Sequence, residues 1–572
     1  MRLPTFTKTF LSRTQVINSL PFSILPKGGF YNKTDYRMFS YDFRLSASWN
    51  KVFGNDNIIN LYAGMEANAQ DRSNNAFQGW GMQYDNGEIP YFDYNAFKKM
   101  REDNSDYYSL TNTKRRTLAY FATGTYSYQG RYSLTGTFRY EGSNRLGKAR
   151  SARWLPTWNI GVAWNMHEEK FFEKLQPALS HFTLKSSYSL TADAGPADVT
   201  NSFVNINSYT PWRPSASVGE SGLHIVELEN GDLTYEKKHE INVGVDMGFL
   251  NNRINMELAW YKRNNYDLIG AVLTQGVGGE TRRNANLASM KSHGYEVSLS
   301  TQNIVTKDFQ WTTDFIFGYS KTKITDLKSQ TYLFDLVTGY GQREGYDWGS
   351  LFSIPFAGLD EDGFPTFWWN GELIDKTNYG SINFQQIQDV DFLKYEGPRD
   401  PTITGSFGNV FKYKGFKLNV FITYSAGNKV RLDPQFSSTY NDLDATPKDF
   451  KNRWMLPGEE KITNIPVIPS ARDNQKYSNL NYAYNAYNYS DARIADGGFI
   501  RMKEISLTYD FPKALLGSQN ILKTLSLKVQ ATNLFLIYSD DKLNGQDPEF
   551  FNSGGVAAPV PKQFTFTLRA GF

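Results

Sequence analysis

Aromatic rings and side-chain amides are the chemistry this sequence carries in greatest supply. Its 572 residues include 12 Trp, 36 Tyr and 41 Phe, 16% of the chain, and some of them gather outside any alternating pattern. Trp348, Trp368 and Trp369 fall in one long connecting segment and Trp212 in another, while Tyr477, Tyr482, Tyr484, Tyr487 and Tyr489 lie in a low-complexity stretch rich in Asn. Ring faces stack on sugar rings or peptide side chains, and amides bond to hydroxyls. Trp212, Trp348, Trp368, Trp369, Tyr482, Tyr484 and Tyr487 are therefore the candidate substrate-binding residues, for a glycan or a peptide. Packing of loop on loop, or against a covering protein, would use the same rings.

Catalytic and metal chemistry is poorly served. His167, His181, His224, His239 and His293 show no ligand spacing, and a chain without cysteine has no disulfide, thiol nucleophile or thiolate site. Asp360-Glu-Asp-Gly363 has the carboxylates of a calcium loop but neither its spacing nor its terminal Glu, and reads as a turn. Gly276-Val-Gly-Gly279 lacks a following Lys-Ser/Thr and reads as loop. No Ser/His/Asp set stands out, and the carboxylates scatter. The expectation is a protein that is not an enzyme and has no cofactor and no metal. With 61 basic against 58 acidic residues, net charge +3, there is no single-sign field for nucleic acid.

The elements that carry the rings repeat one pattern. In Ser40 to Asn50, Tyr41, Phe43, Leu45, Ala47 and Trp49 alternate with Asp42, Arg44, Ser46 and Ser48. The same period of two runs through Tyr132 to Tyr140, Trp158 to Met166, Ile241 to Phe249, Ile254 to Trp260, Phe309 to Tyr319, Phe416 to Tyr424, Leu525 to Ala531 and Phe564 to Phe572. Each is a strand with one apolar face. About fifteen strands result, in seven hairpins plus a lone last strand, with a weaker sixteenth near Thr14 to Leu25.

Short and long connections alternate. The short ones fall near residues 54–57, 129–130, 167–180, 250–252, 303–307, 414–415 and 511–522. The long ones span about 71–115, 192–236, 326–401, 429–498 and 536–561, with residues 142–151 as the one modest member. That asymmetry is the signature of an outer-membrane barrel, with turns on the periplasmic side and loops outside. A mean hydropathy of −0.51 and the lack of an apolar run of about 18 residues exclude a helical membrane protein, but a barrel hides its apolar face in the alternation. A soluble sandwich or propeller would also alternate. The irregular hairpin spacing, and Trp49, Tyr140, Trp260, Tyr319 and Tyr424 at strand ends, favour the membrane. Asp42, Arg44, Glu66, Arg139, Asp246, Glu257, Asp314, Lys417, Asn419, Lys528 and Gln530 then face a hydrated lumen. The fold class is thus all-β, a transmembrane antiparallel barrel, with residues 1–27 as a lead-in and 28–572 as the barrel.

Phe572 ends a period-two face as the barrel-closing terminal aromatic of bacterial outer-membrane proteins does. With Tyr140-Glu-Gly-Ser-Asn-Arg-Leu-Gly147, Trp154-Leu-Pro-Thr-Trp158, Leu233-Thr-Tyr-Glu236, Gly294-Tyr-Glu296, Ala531-Thr-Asn-Leu-Phe535 and Gln546-Asp-Pro-Glu549, the chain from about Gly28 onward resembles the barrel of the SusC/RagA family of TonB-dependent outer-membrane transporters of the Bacteroidetes. The resemblance implies nutrient import of oligosaccharide or oligopeptide, a SusD-like surface lipoprotein as lid, and a surrounding of membrane lipid and lipopolysaccharide. It also implies a 22-stranded barrel filled by a plug that engages TonB. No export signal, TonB-gripping motif or plug is readable here, so the chain looks like the C-terminal barrel portion. A passive porin of about 16 strands, or a barrel that anchors an adhesin or enzyme, is the alternative reading.

Overall fold

The computed structural model describes residues 14–17, 20–23, 29–54, 56–83, 89–90, 107–144, 153–193, 195, 205–209, 222–228, 230, 233–276, 282–434, 448–512, 522–551 and 560–572. Among these residues fifteen strands form one antiparallel sheet in chain order. They are β1 (Gly29–Phe53), β2 (Asn57–Gln83), β3 (Tyr108–Tyr128), β4 (Tyr132–Ser143), β5 (Trp154–Asn165), β6 (Leu179–Asp193), β7 (Glu236–Phe249) and β8 (Ile254–Leu273). There follow β9 (Arg282–Val305), β10 (Phe309–Leu327), β11 (Ile403–Tyr413), β12 (Phe416–Ala426), β13 (Phe499–Asp510), β14 (Thr524–Ser539) and β15 (Gln563–Gly571). A two-residue strand, Ile89–Pro90, adds to β2.

Seven hairpins and a last single strand stand as the alternation predicts, because the turns supply the backbone they need. Gln129 and Gly130, and Lys414 and Gly415, take positive φ at the tips of β3–β4 and β11–β12, the geometry that matches a two-residue turn to strand twist. Three expectations shift. β1 and β2 run 25 and 27 residues, and β3 begins at Tyr108, so strands occupy much of the expected loop 71–115. About ten residues cross a bilayer; beyond that height both faces meet water and the alternation fades, while ladder pairing continues. The connection between Leu273 and Arg282 is a second short member of the long set. Finally, Thr14–Ile17 pairs only with Leu20–Ser23, in a hairpin apart from the large sheet. Four residues each are too few to cross a bilayer, so among the described residues there is no sixteenth wall strand at that place.

Register sorts the side chains onto two faces. Phe182, Met247, Met256, Leu299, Phe315, Phe407, Ile422, Met502 and Phe535 are successive cross-strand partners from β6 to β14. Trp49, Leu61, Gly124, Gly136, Ile160, Tyr188 and Ile241 continue that face from β1 to β7. The opposite face carries Arg44 across from Glu66, Asp246 across from Glu257, and Lys417, Thr508, Lys528 and Thr567 in a row. Tyr132 stacks on Trp164 at 6.3 Å and Tyr140 on Trp154 at 5.0 Å. These two ring pairs on β4 and β5 lie eight residues apart along β4, about 26 Å of strand, the separation expected of interfacial belts on tilted strands.

The sheet is open among the described residues: β1 and β15 each pair on one side only. Fifteen antiparallel strands put these two edges parallel to each other. They cannot join as antiparallel neighbours, and an all-antiparallel closure takes an odd number of further strands between them.

Candidate functional site

The described parts of the two longest connections, residues 328–402 and residues 427–434 with 448–498, fold together over the outer end of the sheet. Leu333, Phe352, Phe364, Phe367, Tyr379 and Ile382 from the first pack with Leu480, Ala483, Tyr484 and Tyr487 from the second in one hydrophobic core. Its frame comprises helices α1 (Leu333–Thr338), α2 (Ala471–Lys476) and α3 (Leu480–Asn488), with a three-stranded sheet of Phe356–Leu359, Pro365–Trp369 and Glu372–Ile374. The chain forms α2 locally because Ser470 and Asp473 make a reciprocal capping box.

Three of the aromatic candidates belong to this core rather than to a solute surface. Trp369 is 4% exposed and packs 4.8 Å from Phe392. Tyr484 is fully buried, with its hydroxyl donating to the Val467 carbonyl at 2.6 Å, and Tyr487 packs edge-on to Phe356 at 5.6 Å. Desolvation pushes both Tyr hydroxyls well above the ordinary phenol range. Burial overturns these three as ring platforms, because a face covered by protein cannot stack on a ligand. The periodicity contained the signal: Leu480, Ala483, Tyr484 and Tyr487 stand at helical i, i+3, i+4, i+7 spacing. Trp348, Trp368 and Tyr482 remain 46%, 50% and 40% exposed. Trp212 lies outside the described residues. Phe572 is exposed at the end of β15, its carbonyl accepting from Lys523 Nζ at 3.2 Å.

Buried arginines, which the sequence did not single out, hold the loop unit in place. Arg431 donates through Nε to the Val337 carbonyl (3.1 Å), through Nη1 to Ser490 (3.1 Å), and through Nη2 to Phe352 (2.6 Å) and Ser353 Oγ (3.0 Å). One guanidinium thereby joins both connections. Burial pulls its pKa down to about 10, so it stays charged at neutral pH. Arg501, on the charged face of β13, meets the fully buried Asp547 at 2.5 Å and Glu549 at 3.3 Å, fixing the next loop inward over that face. Lys321 of β10 reaches Asp347 at 3.3 Å, and Tyr395 donates to the same carboxylate at 2.6 Å.

Two charged hollows result. One, of about 700 Å³, lies on the lumenal face of β1 to β4. There Glu66 takes both Arg44 and Arg139, Arg139 also meets Glu141 at 2.6 Å, and Asn68 donates to Asp42. Phe121 and Tyr261, apolar exceptions on this face, lie over Gly64 and Gly294, where a Cβ would collide with the rings. The second hollow, about 580 Å³, sits where the loop unit meets β14, between Lys394, Lys429, Lys542 and the carboxylates Glu396, Asp491, Asp496, Asp540 and Asp541. Lys394 pairs Asp491 at 3.1 Å and Lys429 pairs Asp496 at 3.2 Å. Burial, with Asp491 adding to it, outweighs Lys394 and holds the Glu396 carboxyl above its ordinary range. Charges of both signs on a hydrated wall can bind and pass a polar solute.

Comparison with known proteins agrees with this architecture. Residues 5–534 match the family described as TonB dependent receptor-like, beta-barrel. The chain is 26% identical over 566 residues to TonB-dependent receptor P39 of Formosa agariphila, covering 91% of this chain and 51% of that protein. It is 25% identical over 509 residues to TonB-dependent receptor SusC of Bacteroides thetaiotaomicron, covering 82% and 44%. It thus spans about half the length of these curated relatives. The structure of the RagAB peptide transporter superposes with a TM-score of 0.75 at 20% identity, over 95% of this chain and 56% of that one; that likeness is one of fold. The chain is an outer-membrane β-barrel wall, and it belongs to the TonB-dependent receptor-like β-barrel family.

Proposed function

We propose that this chain supplies most of the wall and the outer loops of an energised importer that takes oligosaccharide or oligopeptide across the outer membrane. The observation that carries the reading is the asymmetry of the sheet: one face mainly apolar, the other charged and roofed by a folded loop unit. The relatives' names support uptake driven through TonB; in this proposal a plug-bearing portion couples to it and supplies the remaining wall. The exposed rings Trp348, Trp368 and Tyr482 are its solute contacts, and a SusD-like surface lipoprotein is the lid above them. The passive porin is the weaker reading, because among the described residues the parallel edges β1 and β15 are not paired with each other.

The test is uptake by cells lacking and then regaining the gene, with fluorescent oligosaccharides and oligopeptides of matched size. Accumulation should need the gene and the proton gradient, and should fall in W348A, W368A and Y482A. Uptake indifferent to the gradient, or a steady open conductance from the chain alone in planar bilayers, would overturn the proposal.

A further inference from the structure

The lipid-facing side of β1 to β5 is not smooth. Along the successive partners Ala63, Ala122, Phe138 and Trp158, and Leu61, Gly124, Gly136 and Ile160, the floor is made of Ala and Gly. Phe138, Trp158 and Ile160 stand up beside it, leaving an apolar hollow of about 510 Å³. A second hollow of about 330 Å³ lies two rows higher on the same face. Its floor is Ala67, Ala69 and Gly142, and its walls are the rings of Tyr41 and Trp154. The Trp154 ring covers Gly142 so closely that a Cβ there would lie 2.5 Å from it.

The rim of the upper hollow is cationic. Arg116 and Arg153 both line it. Arg116 is held by Asp71 at 2.7 Å and by the Gln70 and Arg115 carbonyls. Asp71 also faces Lys114 across the ladder. Arg116 and Lys114 thus share the Asp71 carboxylate, and Arg153, which lines the hollow with Arg116, has its Nε buried with no hydrogen-bond partner. From the Ala63 row to the Arg116 row is six residues, about 20 Å along a tilted strand and about 15 Å of depth, the thickness of one leaflet. The cations lie just above the Tyr140–Trp154 belt, at the height of lipid headgroups.

The geometry points to a specific lipid site: an anionic, phosphate-bearing lipid of the outer leaflet, its acyl chain in the Ala/Gly groove and its phosphate against Arg116 and Arg153. The groove fits an occupant with a greasy tail below and negative charge above. A solute in transit would be on the other face of the sheet, so this site stands apart from the importer reading.

Native mass spectrometry of the full chain as purified from outer membranes, titrated with lipid A bearing two phosphates, tests the assignment. One tightly retained lipid is expected. Arg153→Gln should weaken it about fivefold. Gly136→Leu, at a position where an added Cβ meets nothing within 4 Å, should fill the groove and weaken binding about tenfold. Both variants should keep the heat-modifiable gel migration of a folded barrel. Unchanged binding in both folded variants would overturn the site. So would displacement by millimolar inorganic phosphate, which would mark a free-anion site, or a loss of dimer in place of lipid in Gly136→Leu, which would mark a contact between copies.

Discussion

Phe367 and Phe566 are the same side chain in two solvents. Phe367, in the loop unit, is fully buried among Phe356, Tyr487 and their neighbours; Phe566, on β15, is 73% exposed at the protein surface and meets acyl chains. The loop unit is assembled like a small water-soluble protein, with an apolar core and the Arg431 guanidinium bound by carbonyls. The wall has no interior of its own. Its strands are held by backbone ladders, which the bilayer leaves without a competing partner, and its greasy side chains serve as solvent contacts. The lesson is that the same composition builds opposite burial patterns above and within the membrane.

The largest expected contrast is between truncations. Phe367→Ala should destabilise the loop unit by about 3–5 kcal/mol, because a cavity is added to the lost transfer energy. Phe566→Ala should cost less, about 2 kcal/mol, since the transfer energy into lipid is lost but lipid refills the space and no cavity is added. Limited proteolysis of the loops and urea unfolding in detergent measure both; equal costs would erase the distinction between the two regions.

Arg501→Met comes next. Removing the guanidinium strands Asp547 as an uncompensated buried charge, at about 3–5 kcal/mol, and should expose the 540–551 loop to protease while the wall stays folded. Within the wall, Ile160→Arg on the apolar face should cost about 2–4 kcal/mol at mid-membrane, whereas Asn159→Arg, one residue away on the lumenal face, should cost under about 1 kcal/mol. Folding titrations into lipid vesicles read that difference.

The smallest effect is a pH dependence confined to the loops. Because Glu396 is held above its ordinary range, the folded unit binds its proton more tightly than the unfolded chain does. Its contribution to stability is therefore favourable at low pH and is lost as pH rises through the folded value. Glu396→Gln should flatten that slope and stabilise the loop unit at pH 8 relative to wild type, as followed by thermal unfolding of the loops.

Much of the wall was legible because two local signals coincide there, a period of two and turns that need positive φ. The extra length of β1 and β2 was not, since strands above the bilayer keep their ladders but lose the contrast between faces. In the loops the signal fails for a different reason. Trp368 and Trp369 are neighbours with opposite fates, half-exposed and buried, and only the packing of residues far apart in sequence decides which ring turns inward. Tyr484 and Tyr487 could have been assigned to a core by their helical spacing with Leu480. Nothing local marks Arg431 or Arg501, each a lone arginine whose partners lie tens of residues away.

The chain has no cysteine, so single cysteines can be placed at each of residues 156–164 and spin-labelled in a reconstituted bilayer. Collision with oxygen should peak at 158, 160, 162 and 164, and collision with a water-soluble nickel complex at 157, 159, 161 and 163. The opposite phase, or no period of two at all, would contradict an apolar face turned to lipid and a charged face turned to the lumen.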